Sequence, residues 1–312
     1  MRELASSRRS FLQRVVSATL AGTALPRFAA FAQDRAAPAK DPPRPGRSRW
    51  EIGVCAGADR GEELRAGGAS YVEVGVAALV ADKSDAEFTK QEALLKACAL
   101  PIRAANSFLP GSLKSVGPDA NHDGVLRFAE TAFRRAHAVG IETIVFRIER
   151  LAHHSRGFER ARAEEQMRAL LGKMGPLAER HAITVAIEPL NKEETNFINT
   201  LIEGAAIVTA VGHPRIRLMA DLYHVLKMDE PPDSIARTAS LLCHVHIAEK
   251  QDRRPPGHGG EDFSAYFREL QRARDVRRVS IECRWDDVAK ELPRAVATLQ
   301  RQMDAAGAGE AR

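Results

Sequence analysis

Downstream of its first 32 residues, the sequence has no uninterrupted apolar run of the roughly 18 residues that a membrane-spanning helix needs. The expectation is a mature protein without stable membrane insertion. A basic body is also missing. The formal charge is +5, yet residues 1–49 hold ten Lys/Arg against three Asp/Glu, which leaves 36 basic and 38 acidic residues in the rest. A slightly acidic body gives no electrostatic footprint for nucleic acid. Cysteine is sparse, with Cys55, Cys98, Cys243 and Cys283 in or beside apolar runs, where a thiol packs as a small hydrophobe. Cys243 and Cys283 are expected to point outward from their strands and to lie about 13 Å apart at strand rise, too far for a bridge. Free structural thiols are predicted.

The first 49 residues read differently. Ser7-Arg8-Arg9-Ser10-Phe11-Leu12 has the twin-arginine pattern of an export signal, followed by a modest apolar stretch from Val15 to Leu25 and a small-x-small cleavage site at Ala30-Phe31-Ala32. Residues 1–32 are read as a signal peptide for the twin-arginine export machinery, which predicts a periplasmic protein; a frayed basic N-terminus is the alternative. Residues 33–48, with Pro38, Pro42, Pro43 and Pro45, read as an extended linker. A folded body over 49–304 and a flexible Ala/Gly tail over 305–312 complete the division.

Within the body, eight short β-rich runs alternate with amphipathic stretches. The runs are Trp50–Cys55, Tyr71–Val76, Pro101–Ala105, Thr143–Phe146, Thr184–Glu188, Arg217–Asp221, His244–Ala248 and Val279–Cys283. Helical spacing marks Gly124–Val139, Arg160–His181, Asp262–Ala273 and Asp287–Ala305. Alternation of this kind implies a parallel sheet with right-handed crossovers. Eight units in about 260 residues match a single closed (β/α)8 TIM barrel. An open doubly wound sheet usually carries a Gly-rich phosphate turn after its first strand, which Cys55-Ala56-Gly57-Ala58-Asp59 does not supply.

The last four runs each end in a residue able to ligate a metal: Glu188, Asp221, His246 and Glu282. A carboxylate closing an apolar strand is costly to bury unless it is paired or coordinated. Four such residues at one depth would converge at the barrel mouth, where this fold keeps its catalytic groups. Three carboxylates and an imidazole suit one divalent Mn²⁺, Mg²⁺ or Co²⁺ ion, with Zn²⁺ also open. Such an ion polarises a carbonyl or hydroxyl as a Lewis acid. Asn106 and Ser107 close strand three and are candidates to line the pocket. Trp285 and Arg284, just past Glu282, are candidates for an apolar wall and a polar rim. Glu73 faces either the interior or a salt bridge. Arg147-Ile148-Glu149-Arg150 with His153-His154 forms a charged loop, read as solvated rather than as an anion clamp.

Ile187-Glu188-Pro189-Leu190-Asn191, Asp221-Leu222-Tyr223-His224, His244-Val245-His246-Ile247-Ala248-Glu249 and Ser280-Ile281-Glu282 resemble the sugar phosphate isomerase/epimerase family, the xylose isomerase-like TIM barrel group that includes ketose 3-epimerases and hydroxypyruvate isomerases. The resemblance spans residues 50–300. It implies that Glu188, Asp221, His246 and Glu282 hold a metal, that Glu188 and Glu282 are the acid/base pair on opposite sides of a small carbohydrate, and that Glu194, His224 and Arg253 contact substrate. The family's His-x-x-Asp-x-x-Arg stretch departs here by one extra residue before the Arg, leaving Arg253 and Arg254 as alternatives. The implied reaction is isomerisation or epimerisation through an enediolate between two Glu. A lyase or dehydratase on the same site is the alternative, since an enediolate can also expel a β-hydroxyl. A DNA-cleaving relative would need extra His ligands after strands two and three, where Val74-Gly75-Val76 and Ala105-Asn106-Ser107 have none; it and a non-catalytic sugar-binding protein are less favoured. Assembly is left open, a homo-oligomer included.

Overall fold

The computed structural model describes residues 50–147 and 158–307. The expected signal peptide, the linker and all of the charged Arg147–His154 loop after Arg147 lie outside the described residues. Among the described residues eight strands alternate with helices: β1 Glu51–Cys55, β2 Tyr71–Gly75, β3 Ile102–Asn106, β4 Thr143–Arg147, β5 Thr184–Glu188, β6 Ile216–Asp221, β7 Leu242–Ile247 and β8 Arg278–Ile281. Neighbours pair in parallel in chain order, and β8 returns to β1 through Glu51–Arg278 to Val54–Ile281, which closes the barrel. The strands are short and apolar because helices cover their outer face and side chains fill their inner one.

Helices α1 Gly61–Ala66, α2 Asp85–Lys96, α3 His122–Ala138, α4 Arg160–Arg180 and α5 Leu201–Val211 follow the first five strands. Their ends are set locally. Ser84 with Glu87, and Thr200 with Glu203, form reciprocal capping boxes at α2 and α5, and Gly212 ends α5 in the left-handed region. On α3, buried Val125, Ala129, Ala132, Phe133 and Ala136 repeat at three- and four-residue spacing, so one stripe packs on the sheet.

Three features differ from the sequence pattern. Between β6 and β7 stand two short helices, α6 Leu222–Lys227 and α7 Asp233–Thr238, which Pro231 and Pro232 keep from joining. After α8 Ser264–Leu270, the last helix, α9 Val288–Gly307, continues past the expected start of the tail because the methyl of Ala306 is fully buried. The third is Cys243. A register shift opposite Leu218/Met219 leaves it as an extra residue in β7, and it packs against Val145, Ala186 and Met219, the apolar filling of the barrel interior. It does not point outward as a regular strand would require. All four cysteines are free thiols.

Beside this apolar filling the interior holds a chain of polar groups, Tyr71, Ser280, Glu73, His244 and His246. The ring of Tyr71 lies 2.3–2.5 Å from where a Cβ on Gly53 would stand, so only glycine at this position of β1 admits it. That ring places its hydroxyl 2.6 Å from Ser280 Oγ of β8, at the base of a hydrogen-bonded string that climbs toward the barrel mouth.

Candidate active site and metal centre

Glu188 and Asp221 end β5 and β6, His246 is the penultimate residue of β7, and Glu282 follows β8 by one residue. One donor atom from each lies within 4.8 Å of all the others. Glu188, Asp221 and His246 are buried, whereas the side chain of Glu282 is 21% exposed and faces the mouth. Three carboxylates this close repel one another unless a cation sits among them.

The orientation of His246 is the most informative detail. Its Nε2 is 2.8 Å from Glu73 Oε1, whereas Nδ1 has no hydrogen-bond partner among the described residues, although it is fully buried and stands 3.3 Å from Glu282 Oε2 and 3.8 Å from Glu188 Oε1. A buried nitrogen with no partner, facing two carboxylates, fits a metal ligand whose other ring nitrogen is held by a supporting carboxylate. Burial opposes protonation of this imidazole, but Glu73 and the surrounding acids raise its pKa well above the ordinary histidine value, so without a metal the cluster draws a proton to the ring. A divalent ion would take that proton's place.

Glu73 is fully buried on β2 and accepts three hydrogen bonds, from His246, from His244 Nε2 at 2.8 Å and from Ser280 Oγ at 2.6 Å. Burial pushes its carboxyl upward, yet the two imidazoles hold it well below the usual carboxylate range. As an anion it can only accept, so Ser280 donates to it and Tyr71 donates to Ser280. The sequence left Glu73 undecided between the interior and a salt bridge. The signal was present as a single acid in the apolar strand Tyr71-Val72-Glu73-Val74, but a strand pattern does not say which histidines stand opposite.

Asp221 serves twice. Its Oδ1 accepts from Tyr223 N at 2.9 Å and caps α6, while Oδ2 faces the cluster. Burial raises its pKa to about 6 against the pull of Arg253. Burial also raises Glu188. For Glu282 burial is outweighed by His246 and Arg253, which hold it at about 2. One flank of the cluster therefore favours a proton and the other a bare carboxylate.

His224, in the first turn of α6, accepts the Asn191 backbone N–H at its Nδ1. Its proton is thus on Nε2, which has no hydrogen-bond partner among the described residues and stands 3.4 Å from Asp221 Oδ2. Burial lowers the pKa of this ring, which keeps it neutral and leaves one N–H aimed at the cluster. Arg253, not Arg254, is the arginine brought here. Its Nη2 is 3.1 Å from Asp221 Oδ2 and pairs closely with Glu282 Oε2, its Nη1 is 3.7 Å from Glu194, and its guanidinium lies over the Tyr223 ring. Arg254 pairs with Asp286 and Glu291. The extra residue is absorbed by left-handed Asp252 and Arg253, and Glu249, buried behind the loop, fixes it by accepting from the backbone of Gly257, Gly259, Gly260 and Glu261.

Asn106 lines a cavity of about 460 Å³ beside the cluster, together with Cys55, Glu73, Gly75 and Glu282. Trp285 does not. It packs against the hydrophobic core, because Arg284 N bonds to Arg253 O at 2.8 Å and draws the chain after Glu282 toward the neighbouring loop. The expected apolar wall from Trp285 is not part of this cavity.

Residues 62–305 match the model of the family described as xylose isomerase-like TIM barrel. The chain belongs to that family. Among relatives of this xylose isomerase-like barrel, 3-dehydro-D-guloside 4-epimerase of Escherichia coli is 32% identical over 96 residues, and D-psicose 3-epimerase of Agrobacterium fabrum is 38% identical over 78. These alignments cover 30% and 25% of this chain, and only 36% and 27% of the relatives' own lengths. Among solved structures, 3-keto-D-glucoside 4-epimerase from E. coli superposes with a TM-score of 0.68 at 21% identity, over 81% of this chain and 99% of that one. That likeness is one of fold.

Proposed function

We propose that this xylose isomerase-like barrel is a metal-dependent isomerase or epimerase that moves a proton between carbons of a small sugar or keto-sugar. The observation that carries the reading is the unpartnered His246 Nδ1 inside a ring of three carboxylates, two of which, Glu188 and Glu282, come from opposite ends of the quartet. Relatives named as sugar epimerases support the substrate class. No observation favours the lyase alternative.

In this reading Glu188, Asp221, His246 and Glu282 hold one divalent ion, which when bound supplies Lewis-acid polarisation to a carbonyl and an adjacent hydroxyl. One of the two glutamates takes the proton beside the carbonyl and the other returns one from the opposite face. The neutral His224 Nε2–H donates to a substrate oxygen, and Arg253, anchored by Glu194 and Tyr223, binds another. The twin-arginine leader is part of the proposal: export to the periplasm favours a free sugar or glycoside over a phosphorylated one. The test is incubation of Mn²⁺-loaded protein with a panel of keto-sugars in D₂O, followed by NMR. Deuterium is expected at the carbon beside the carbonyl of at least one substrate. Binding of a sugar without any exchange would leave a non-catalytic binding protein instead.

A further inference from the structure

We infer that the mouth of the barrel carries a second, overlapping set of donors that captures thiophilic cations, formed by Cys55, His246 and Glu282. The inference rests on reading the quartet as metal ligands, and it adds a residue that the quartet does not contain. The sulfur of Cys55, a nitrogen of His246 and an oxygen of Glu282 lie within 4.8 Å of one another. Cys55 is a free thiol, and it lines the cavity that also borders Glu282, so an entering ion reaches it. The buried His246 Nδ1, with no partner of its own, supplies the second donor.

The order of strands makes the two sets alternatives. Cys55 ends β1, and β1 pairs with β8, whereas Asp221 and Glu188 lie beyond His246 on β6 and β5. Both sets use His246 and Glu282, so one ion excludes the other. The quartet, rich in carboxylate oxygen, suits Mn²⁺ or Mg²⁺; a set of thiolate, imidazole and one carboxylate suits Zn²⁺ or Cd²⁺. As the sulfur–metal bond forms, the thiol proton passes to solvent, leaving two anionic donors on a doubly charged ion. An ion held this way shifts toward β1 and away from Glu188. The site therefore distinguishes hard from soft cations by position, and a soft one occupies it without engaging Asp221.

Two substitutions separate the sets. The full chain is titrated with Mn²⁺ and with Cd²⁺ by calorimetry, and thiolate-to-cadmium charge transfer is followed in the ultraviolet. Cys55→Ser is expected to weaken Cd²⁺ binding by about tenfold or more and to remove the absorption band, with Mn²⁺ affinity held within about twofold. Asp221→Asn is expected to do the reverse, weakening Mn²⁺ by about tenfold or more while keeping the cadmium band. A band absent from the wild type, or persisting in Cys55→Ser, overturns the inference while Mn²⁺ binding leaves the quartet standing. Failure of the wild type to bind either ion overturns both.

Discussion

Glu73→Gln is expected to lower affinity for Mn²⁺ by about 10- to 100-fold, measured by calorimetry on the folded variant, although residue 73 is not one of the four proposed ligands. Three donors converge on this fully buried carboxylate. A glutamine keeps one acceptor oxygen and replaces the other with an amide N–H₂. If that group faces His246, the ring must accept at Nε2, which moves its proton to Nδ1 and removes the lone pair a metal needs. If it faces His244 and Ser280 instead, two buried donors lose their acceptor, at about 1–3 kcal/mol each, and the melting temperature falls. Circular dichroism distinguishes an unfolded variant from a folded one with a weakened site. Wild-type Mn²⁺ affinity in a folded Glu73→Gln protein would contradict the role given to the carboxylate.

The second large effect concerns the reaction. On the proposed mechanism, Glu188→Gln and Glu282→Gln each slow deuterium exchange into a keto-sugar by about 10² to 10⁴, the usual weight of a positioned acid or base. Each amide keeps an oxygen that can still ligate, so loss of exchange is expected to exceed loss of metal. The two residues differ in character. Burial raises the carboxyl of Glu188, whereas Glu282, beside His246 and Arg253, is held near 2. A single glutamate supplying both proton steps would leave the other variant with wild-type exchange, and that outcome would remove the two-carboxylate scheme.

Much of the architecture was legible in the sequence because a parallel barrel writes its strands as short apolar runs at regular spacing. The ends of β5 and β6 were placed to the residue, since Glu188 and Asp221 close such runs. The end of β8 was read two residues late: Glu282 still donates its backbone N–H to Ile247 of β7, but at Arg284 the chain bonds to the Arg253 loop instead of continuing the ladder. Cys243 was misoriented because period-two alternation assumes an unbroken ladder, and the bulge there depends on the neighbouring strand. The four clustered residues were found from strand ends alone. What supports them was not, because Glu73 with His246 and Asn191 with His224 are contacts between separate elements, 173 and 33 residues apart. Trp285 lies outside the lining of the cavity beside the cluster for the same reason: its direction is set by a backbone bond to another loop.

Metal binding also has a predicted pH dependence. Burial raises the metal-free Asp221 carboxyl to about 6, so protons compete for this ligand, and affinity is expected to fall as pH drops through that value. The central claim is tested most directly by Mn²⁺ titration of wild type and Asp221→Ala at neutral pH. One ion per chain is expected for the wild type, and for Asp221→Ala a loss beyond the roughly 10- to 100-fold typical of residues that only support a ligand. Equal affinity in the two proteins would show that the cluster at the ends of β5 to β8 is not the metal centre.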